Sequence, residues 1–166
     1  MMQPQYVYRA TNFIFDNASK PKPKYFVVFD VDAELTLLLS LTTSKPKLPA
    51  DLDNSDTEGC LHFNDRRGYG HAFVWKPDRP IGTNGFCFQL RTSVQFEFRS
   101  QLIALSKEQI EAKVTHTIDE CCCLLDIEFA AILECLIASK YLNGKQKRAL
   151  QARLNVLKVK GTNLKK

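Results

Sequence analysis

The chain is expected to be an α+β protein, with an antiparallel β-rich first part followed by C-terminal helices. Three observations predict it. Six or seven short strand-like runs fill about the first 100 residues. Turn-rich segments separate these runs without a βαβ rhythm, which argues for an antiparallel barrel or a small sandwich. From Ser106 onward the apolar spacing changes from two to three and four, the period of a helix.

Val7 to Phe15 forms the first strand, or two short pieces. Asp16-Asn17-Ala18-Ser19 and the Pro21/Pro23 pair make the following loop and hold Lys20, Lys22 and Lys24 on an extended backbone. Tyr25, Val27, Phe29 and Val31 then alternate onto one face, with Phe26 and Val28 on the other. A strand apolar on both faces has little solvent on either side. Asp32-Ala33-Glu34 is a turn. Leu35, Leu37, Leu39 and Leu41 share one face of the next strand, which ends in hydroxyls at Ser40, Thr42, Thr43 and Ser44 beside Lys45. If the two strands pair, Lys24 and Thr42-Thr43 stand at one end of the sheet. A cation beside hydroxyls suits an anion or phosphate. A basic start and a polar finish of an ordinary hairpin explain the same residues.

Lys45 to Gly59 lacks apolar periodicity and is a long loop. Cys60 to Phe63 and His71 to Trp75 are short strands joined by Asn64 to Gly70, where Gly68 and Gly70 permit a reversal. Arg66, Arg67, His62 and His71 on this hairpin match an RNA-contact composition. Histidines also serve as acid and base in phosphodiester cleavage. A cross-strand polar pair is the plainer account of His62 and His71. Pro77 to Gly85 is rich in turns, and Gly85 to Arg91 and Thr92 to Arg99 are strand-like. Val94, Phe96 and Phe98 alternate with Gln95, Glu97 and Arg99, leaving one wet face.

Ser106 with Gln109 makes a capping-box pattern, with Ile110 and Val114 at helical spacing. Thr117 with Glu120 repeats the pattern. Cys121, Cys122, Leu125, Phe129, Ile132, Leu133 and Leu136 then form a broad helical stripe, and Asn143-Gly144 is expected to stop that helix. Leu150, Leu154 and Leu157 give a thinner stripe on a last, basic helix.

A chain of 166 residues with 45% apolar content is one domain, with room for an appendage, and can bury a core. No apolar run approaches the ~20 residues of a membrane span, and the first residues lack a secretory signature. The six cysteines include no Cys-x-x-Cys pair, so no zinc site, metal or cofactor is expected. They are expected to be reduced thiols of a cytosolic protein, used as small apolar side chains. Consecutive cysteines on a helix would point in different directions, with no base beside them, so cysteine- or zinc-based catalysis is not expected. The net charge is +5, yet residues 141–166 hold eight Lys or Arg and no acid, so the remainder sums to −3. Such a tail suits a nucleic-acid contact, or a solvated helix end that complements its dipole.

Three stretches carry a family likeness. They are Pro23-Lys24-Tyr25-Phe26-Val27-Val28; Leu39 to Lys45 (LSLTTSK) continued by Pro46-Lys47-Leu48-Pro49; and Leu90-Arg91-Thr92-Ser93-Val94 with Leu102 and Leu105-Ser106. Together they resemble the MazF/PemK (Kid) family of toxin endoribonucleases over about residues 5–118. The first looks like the family's Arg-Pro and aliphatic strand, the second like its threonine-bearing strand and basic exit. The third looks like its late strand and the start of its last helix.

The resemblance implies an SH3-like barrel at 1–118 that includes a first C-terminal helix. A helical extension at 119–160 and a basic tail at 161–166 would follow. It implies a cytoplasmic homodimer, an antitoxin partner and metal-independent cleavage of single-stranded RNA. There the 2′-hydroxyl attacks its own phosphate, giving a 2′,3′-cyclic phosphate and a free 5′-hydroxyl. Lys24, Thr42 and Thr43 take the catalytic positions, and Lys45, Arg66, Arg67, His71 and Arg91 the RNA contacts. The chain departs from the family where Lys24 replaces an arginine and Tyr25 a proline. A lysine stabilises an anion but cannot fork onto two phosphate oxygens. Residues 50–85 and the later helices are extra, and Arg66, Arg67 or Arg91 could supply the missing guanidinium. The lysine, the apolar Cys-rich helix and the basic tail also fit a non-catalytic barrel that binds a protein partner or nucleic acid.

Overall fold

Two of the expected strands form the centre of a five-stranded antiparallel sheet in the computed structural model. It describes residues 2–13, 20, 22–31, 36–41, 48, 52, 56–65, 68–95, 102–105, 118–140 and 142–163. The strands are β1 (Tyr6–Phe13), β2 (Lys22–Val31), β3 (Thr36–Leu41), β4 (Gly59–Asp65), β5 (Gly68–Trp75), β6 (Thr92–Gln95), β7 (Leu102–Leu105) and β8 (Ile118–Cys123). Two helices follow, α1 (Asp126–Ile137) and α2 (Gly144–Asn163). One sheet has the order β7-β3-β2-β1-β8, the other β4-β5-β6.

The α+β composition stands, but the barrel is corrected. Among the described residues, β7 and β8 lie at opposite edges of one open sheet, and β4 and β6 flank the other. Closure needs one edge strand to pair with the other, and among the described residues β7 and β8 pair only with β3 and β1. The stretch expected to be an insertion supplies β4 and β5, the body of the second sheet. Because β8 pairs with β1, the expected division near residue 118 falls at a strand of the same sheet.

The two faces of β2 are buried, as its double apolar alternation requires: Phe26, Val27, Val28 and Phe29 are at most 3% exposed. Val7, Val27 and Phe29 join Phe73, Trp75, Ile81, Val94 and the buried residues of both helices in the larger core. Phe29 and Phe129 stack with centroids 6.0 Å apart, which seats α1 on β2. Tyr8, Ala10, Phe13, Phe26 and Val28 make a smaller core on the sheet's other face.

Three local expectations are overturned for physical reasons. Ile118–Cys123 is a strand rather than a helical turn, because the free edge of β1 offers it a ladder from Tyr6↔Cys123 to Ala10↔Ile118. Gly85 to Arg91 is irregular, folded back by the hydrogen bonds Ile81 N to Phe86 O and Asp78 N to Phe88 O. Asn143-Gly144 starts a helix instead of ending one. The Asn143 Oδ1 accepts from the Gln146 amide at 2.9 Å, and the Gln146 Oε1 accepts from the Asn143 amide at 3.1 Å. That reciprocal pair is a capping box with amide side chains.

The expected first C-terminal helix from Ser106 lies outside the described residues. Helix α1 begins without a side-chain cap, and Asp126 and Glu128 in its first turn complement the dipole. Gly82 sits where β8 passes closely. A Cβ there would lie 2.7 Å from the Cys122 Cβ, so no larger residue fits without movement.

Candidate functional site

Lys24 lies on β2 opposite Ala10 of β1, one residue before the Tyr25↔Leu41 pair that ends the described β2–β3 ladder. Burial lowers the Lys24 pKa, because a desolvated ammonium is disfavoured relative to the neutral amine. Thr42, Thr43 and Lys45 follow β3 and lie outside the described residues, as do Arg66 and Arg67 of the β4–β5 turn. Arg91 is half-buried just before β6. On the neighbouring strand, the Arg9 guanidinium lies over the Tyr25 ring at 5.9 Å, a cation–π distance. Strand alternation puts Arg9 and Lys24 on opposite faces of the sheet, since Arg9 pairs with Tyr25 and Ala10 with Lys24.

His71 is fully buried and turns inward, so it offers no surface to an RNA chain in this structure. It belongs to a cluster that the sequence reading did not assemble. Cys60 and His62 are two apart on β4 and share a face. His62 and His71 are directly paired across β4 and β5, so His71 joins the same face. Their rings stack with centroids 4.1 Å apart. Cys135 descends from α1 onto this face. The His71 Nε2 lies 3.3 Å from the Cys60 Sγ and 3.2 Å from the Cys135 Sγ, and the His62 Nε2 lies 3.7 Å from the Cys60 Sγ.

Cys60 and Cys135 are joined as a disulfide across 75 residues of sequence. This corrects the expectation that all six cysteines are reduced. Burial, helped by the nearby His62, pushes the His71 pKa down to about 4. The imidazole is therefore neutral at neutral pH, the form that can ligate a metal. Cys60, His62 and His71 place their ligand atoms within 4.8 Å of one another. The signal available in the sequence was Cys-x-His on one strand with a histidine across the turn. A search for Cys-x-x-Cys knuckles passes over it, and Cys135 is far along the chain.

The three consecutive thiols of β8 are poor nucleophiles. Burial raises the pKa of Cys121 and Cys123, and pushes Cys122 up to about 12, so all three stay protonated near neutrality.

An open cleft of about 460 Å³ adjoins the cluster, between β4–β5 and α1. Arg79 crosses it, bonded to Glu58 on one side and to Glu128 on the other. The second Glu128 oxygen accepts the Trp75 indole N–H at 3.1 Å. The terminal Arg79 nitrogens, the Trp75 indole and both Glu128 oxygens find partners in one another or in Glu58, while the buried Arg79 Nε has none among the described residues; the arrangement suits a latch between α1 and the small sheet more than a reacting centre.

Together, these features define an α+β protein whose described residues form two open antiparallel sheets and two helices, with a Cys/His cluster where the second sheet meets α1. Comparison with protein-family models, curated proteins and solved structures gives no match for this chain. No described helix is long and apolar enough to cross a membrane.

Proposed function

We propose that the chain is a metal-independent endoribonuclease of the toxin type, acting on single-stranded RNA. In this reading the RNA 2′-hydroxyl attacks the adjacent phosphate, leaving a 2′,3′-cyclic phosphate and a 5′-hydroxyl. Lys24 is the cation at the phosphate and Thr42 or Thr43 the hydroxyl donor, with Lys45, Arg66, Arg67 and Arg91 along the RNA. A homodimer, an antitoxin partner and a cytoplasmic setting belong to the same proposal.

The observation that carries it is the environment of Lys24. Lys24 precedes Tyr25, whose pairing with Leu41 ends the described hairpin, so Thr42 and Thr43 follow Leu41 in sequence at that same end, and burial lowers the Lys24 pKa. Tested against a panel of single-stranded RNAs without added metal, the protein should cut them and leave cyclic-phosphate ends. Lys24→Ala and Thr42→Ala should remove the cutting and relieve growth arrest on expression. Intact RNA across the panel would end the enzyme reading.

A second reading rests on α2. Lys145, Arg148 and Lys160 are exposed there beside Val156 and Val159, which are 51% and 60% exposed. That mixed face suits non-catalytic binding of nucleic acid or a protein. Salt-sensitive RNA binding without cleavage, unchanged by Lys24→Ala, would favour this reading.

A further inference from the structure

We propose that Cys60, His62, His71 and Cys135 form a structural zinc site in the reduced protein, fastening the β4–β5 hairpin to α1. The site is independent of the Lys24 chemistry.

The geometry supplies four donors of the right kind. Two thiolates and two neutral imidazoles are a common structural zinc set. Zinc–sulfur bonds of about 2.3 Å and zinc–nitrogen bonds of about 2.0–2.1 Å place tetrahedral S and N donors about 3.6 Å apart. Three sulfur–nitrogen separations in the cluster, 3.2, 3.3 and 3.7 Å, straddle that value. The three donors contributed by the hairpin already lie within 4.8 Å of one another.

The disulfide does not account for the histidines. A disulfide satisfies its two sulfurs with each other, and a divalent sulfur is only a weak acceptor. Cross-strand pairing places His62 against His71, but the disulfide gives no reason for the His71 Nε2 to lie within 3.3 Å of both sulfurs. A metal gives that reason, because it needs lone pairs from all four groups aimed at one point. Two thiolates also neutralise Zn²⁺, so the half-buried cluster carries no net charge. Cys60 and His62 are exposed while His71 and Cys135 are buried, which gives the ion a path from solvent into a fixed half-site.

The disulfide is then the metal-free, oxidised form of the same cluster. A dithiol reductant gives two electrons and two protons to the Cys60–Cys135 bond, yielding two thiols and its own disulfide. Zn²⁺ next displaces both thiol protons as it binds, and the sulfurs part to about 3.8 Å, the separation set by tetrahedral zinc–sulfur bonds. Four protein ligands close the coordination shell and leave no position for a reacting water, so the ion holds structure and does no chemistry.

The test uses the full chain, reduced with a dithiol under inert gas and then freed of the reductant. Titration with Co²⁺ should give strong visible bands of a tetrahedral ion and a thiolate-to-metal charge-transfer band, both abolished by one equivalent of Zn²⁺. Native mass spectrometry should show one zinc per chain, and binding should release two protons. His62→Asn changes an exposed residue and leaves the core intact. It should weaken zinc binding by more than about a hundredfold, since losing a ligand exceeds the ~10–100-fold cost of losing a ligand's supporting partner. The proposal is overturned if the folded, reduced protein takes up neither metal, or if Co²⁺ binds without thiolate bands. It is equally overturned if His62→Asn binds zinc as tightly as the wild type. RNA cleavage is not a readout here, so failure of the nuclease reading leaves this result standing.

Discussion

Glu128 on α1 should matter more to stability than any exposed ion pair, and the size of the effect follows from what surrounds it. Glu128 is 8% exposed, and its carboxylate takes two donors: the indole N–H of Trp75, itself fully buried, and the guanidinium of Arg79. In Glu128→Ala the Trp75 N–H loses its acceptor inside the core, at a cost of about 1–3 kcal/mol. Arg79 keeps Glu58 and its side chain is 36% exposed, so its share is about 1 kcal/mol or less. The one lost side-chain methylene adds about 0.8 kcal/mol. A total near 3 kcal/mol is expected, lowering Tm by about 6–12 °C for a domain of this size.

Glu128→Gln keeps an oxygen for the indole and should cost about 1 kcal/mol, the charged part alone. The assay is urea unfolding followed by tryptophan fluorescence, because the chain has a single tryptophan and it is Trp75. A double-mutant cycle with Trp75→Phe, which removes both the donor and the fluorescent reporter and is therefore followed by far-ultraviolet circular dichroism, should show a coupling of about 1–2 kcal/mol. Equal losses for Ala and Gln, or full additivity with Trp75→Phe, would refute the reasoning.

Helix α2 should owe its docking to Leu150, Leu154 and Leu157 rather than to its charges. Leu154→Ala is expected to cost about 2–5 kcal/mol. Arg153→Ala, which breaks the half-exposed 2.8 Å pair with Asp30, should cost about 1 kcal/mol or less in the same urea assay. For Lys24, a folded-state pKa below 10.5 means that the unfolded chain binds more protons in the window just under that value. Stability therefore rises with pH through the window, as the cost of burying the ammonium is relieved. The stability of Lys24→Met relative to wild type should accordingly fall between neutral pH and pH 10.5. A difference that grows with pH would contradict the burial of this side chain.

Much of the β part was legible because its signals are local. Alternation located β1, β2 and β3, and the glycine-marked reversal located the β4–β5 hairpin, including the facing His62 and His71. What failed was set by distant partners. Ile118–Cys123 carries a capping pattern and a helical stripe, yet the edge of β1 claims it as a strand. Asn143 is as good an N-cap as a helix stop, and only Gln146 three residues on decides between them. The barrel failed because closure is a relation between the first and last strands, which no local pattern records. The Cys/His cluster was invisible for the same reason: three of its members lie within one hairpin, but Cys135 reaches it from a helix 64 residues after His71.

The position of that cluster follows from how the small sheet is covered. The sheet's stability requires that its apolar face be buried against another element. Helix α1 covers it, and two contacts fix how. Glu128 and Cys135 are seven residues apart and share one face of α1, while Trp75 and His71 are four apart and share one face of β5. Glu128 meets Trp75 and Cys135 meets His71, so the helix is held against the strand near each end, running antiparallel to it. One contact alone would leave α1 able to pivot; two fix both its angle and its register. Opening the Cys60–Cys135 link without a metal to replace it should therefore loosen the C-terminal half of α1 and the β4–β5 hairpin first. Amide protection on β1 and β2 should survive, because their ladders and the Phe29–Phe129 stack near the start of α1 do not depend on the cluster.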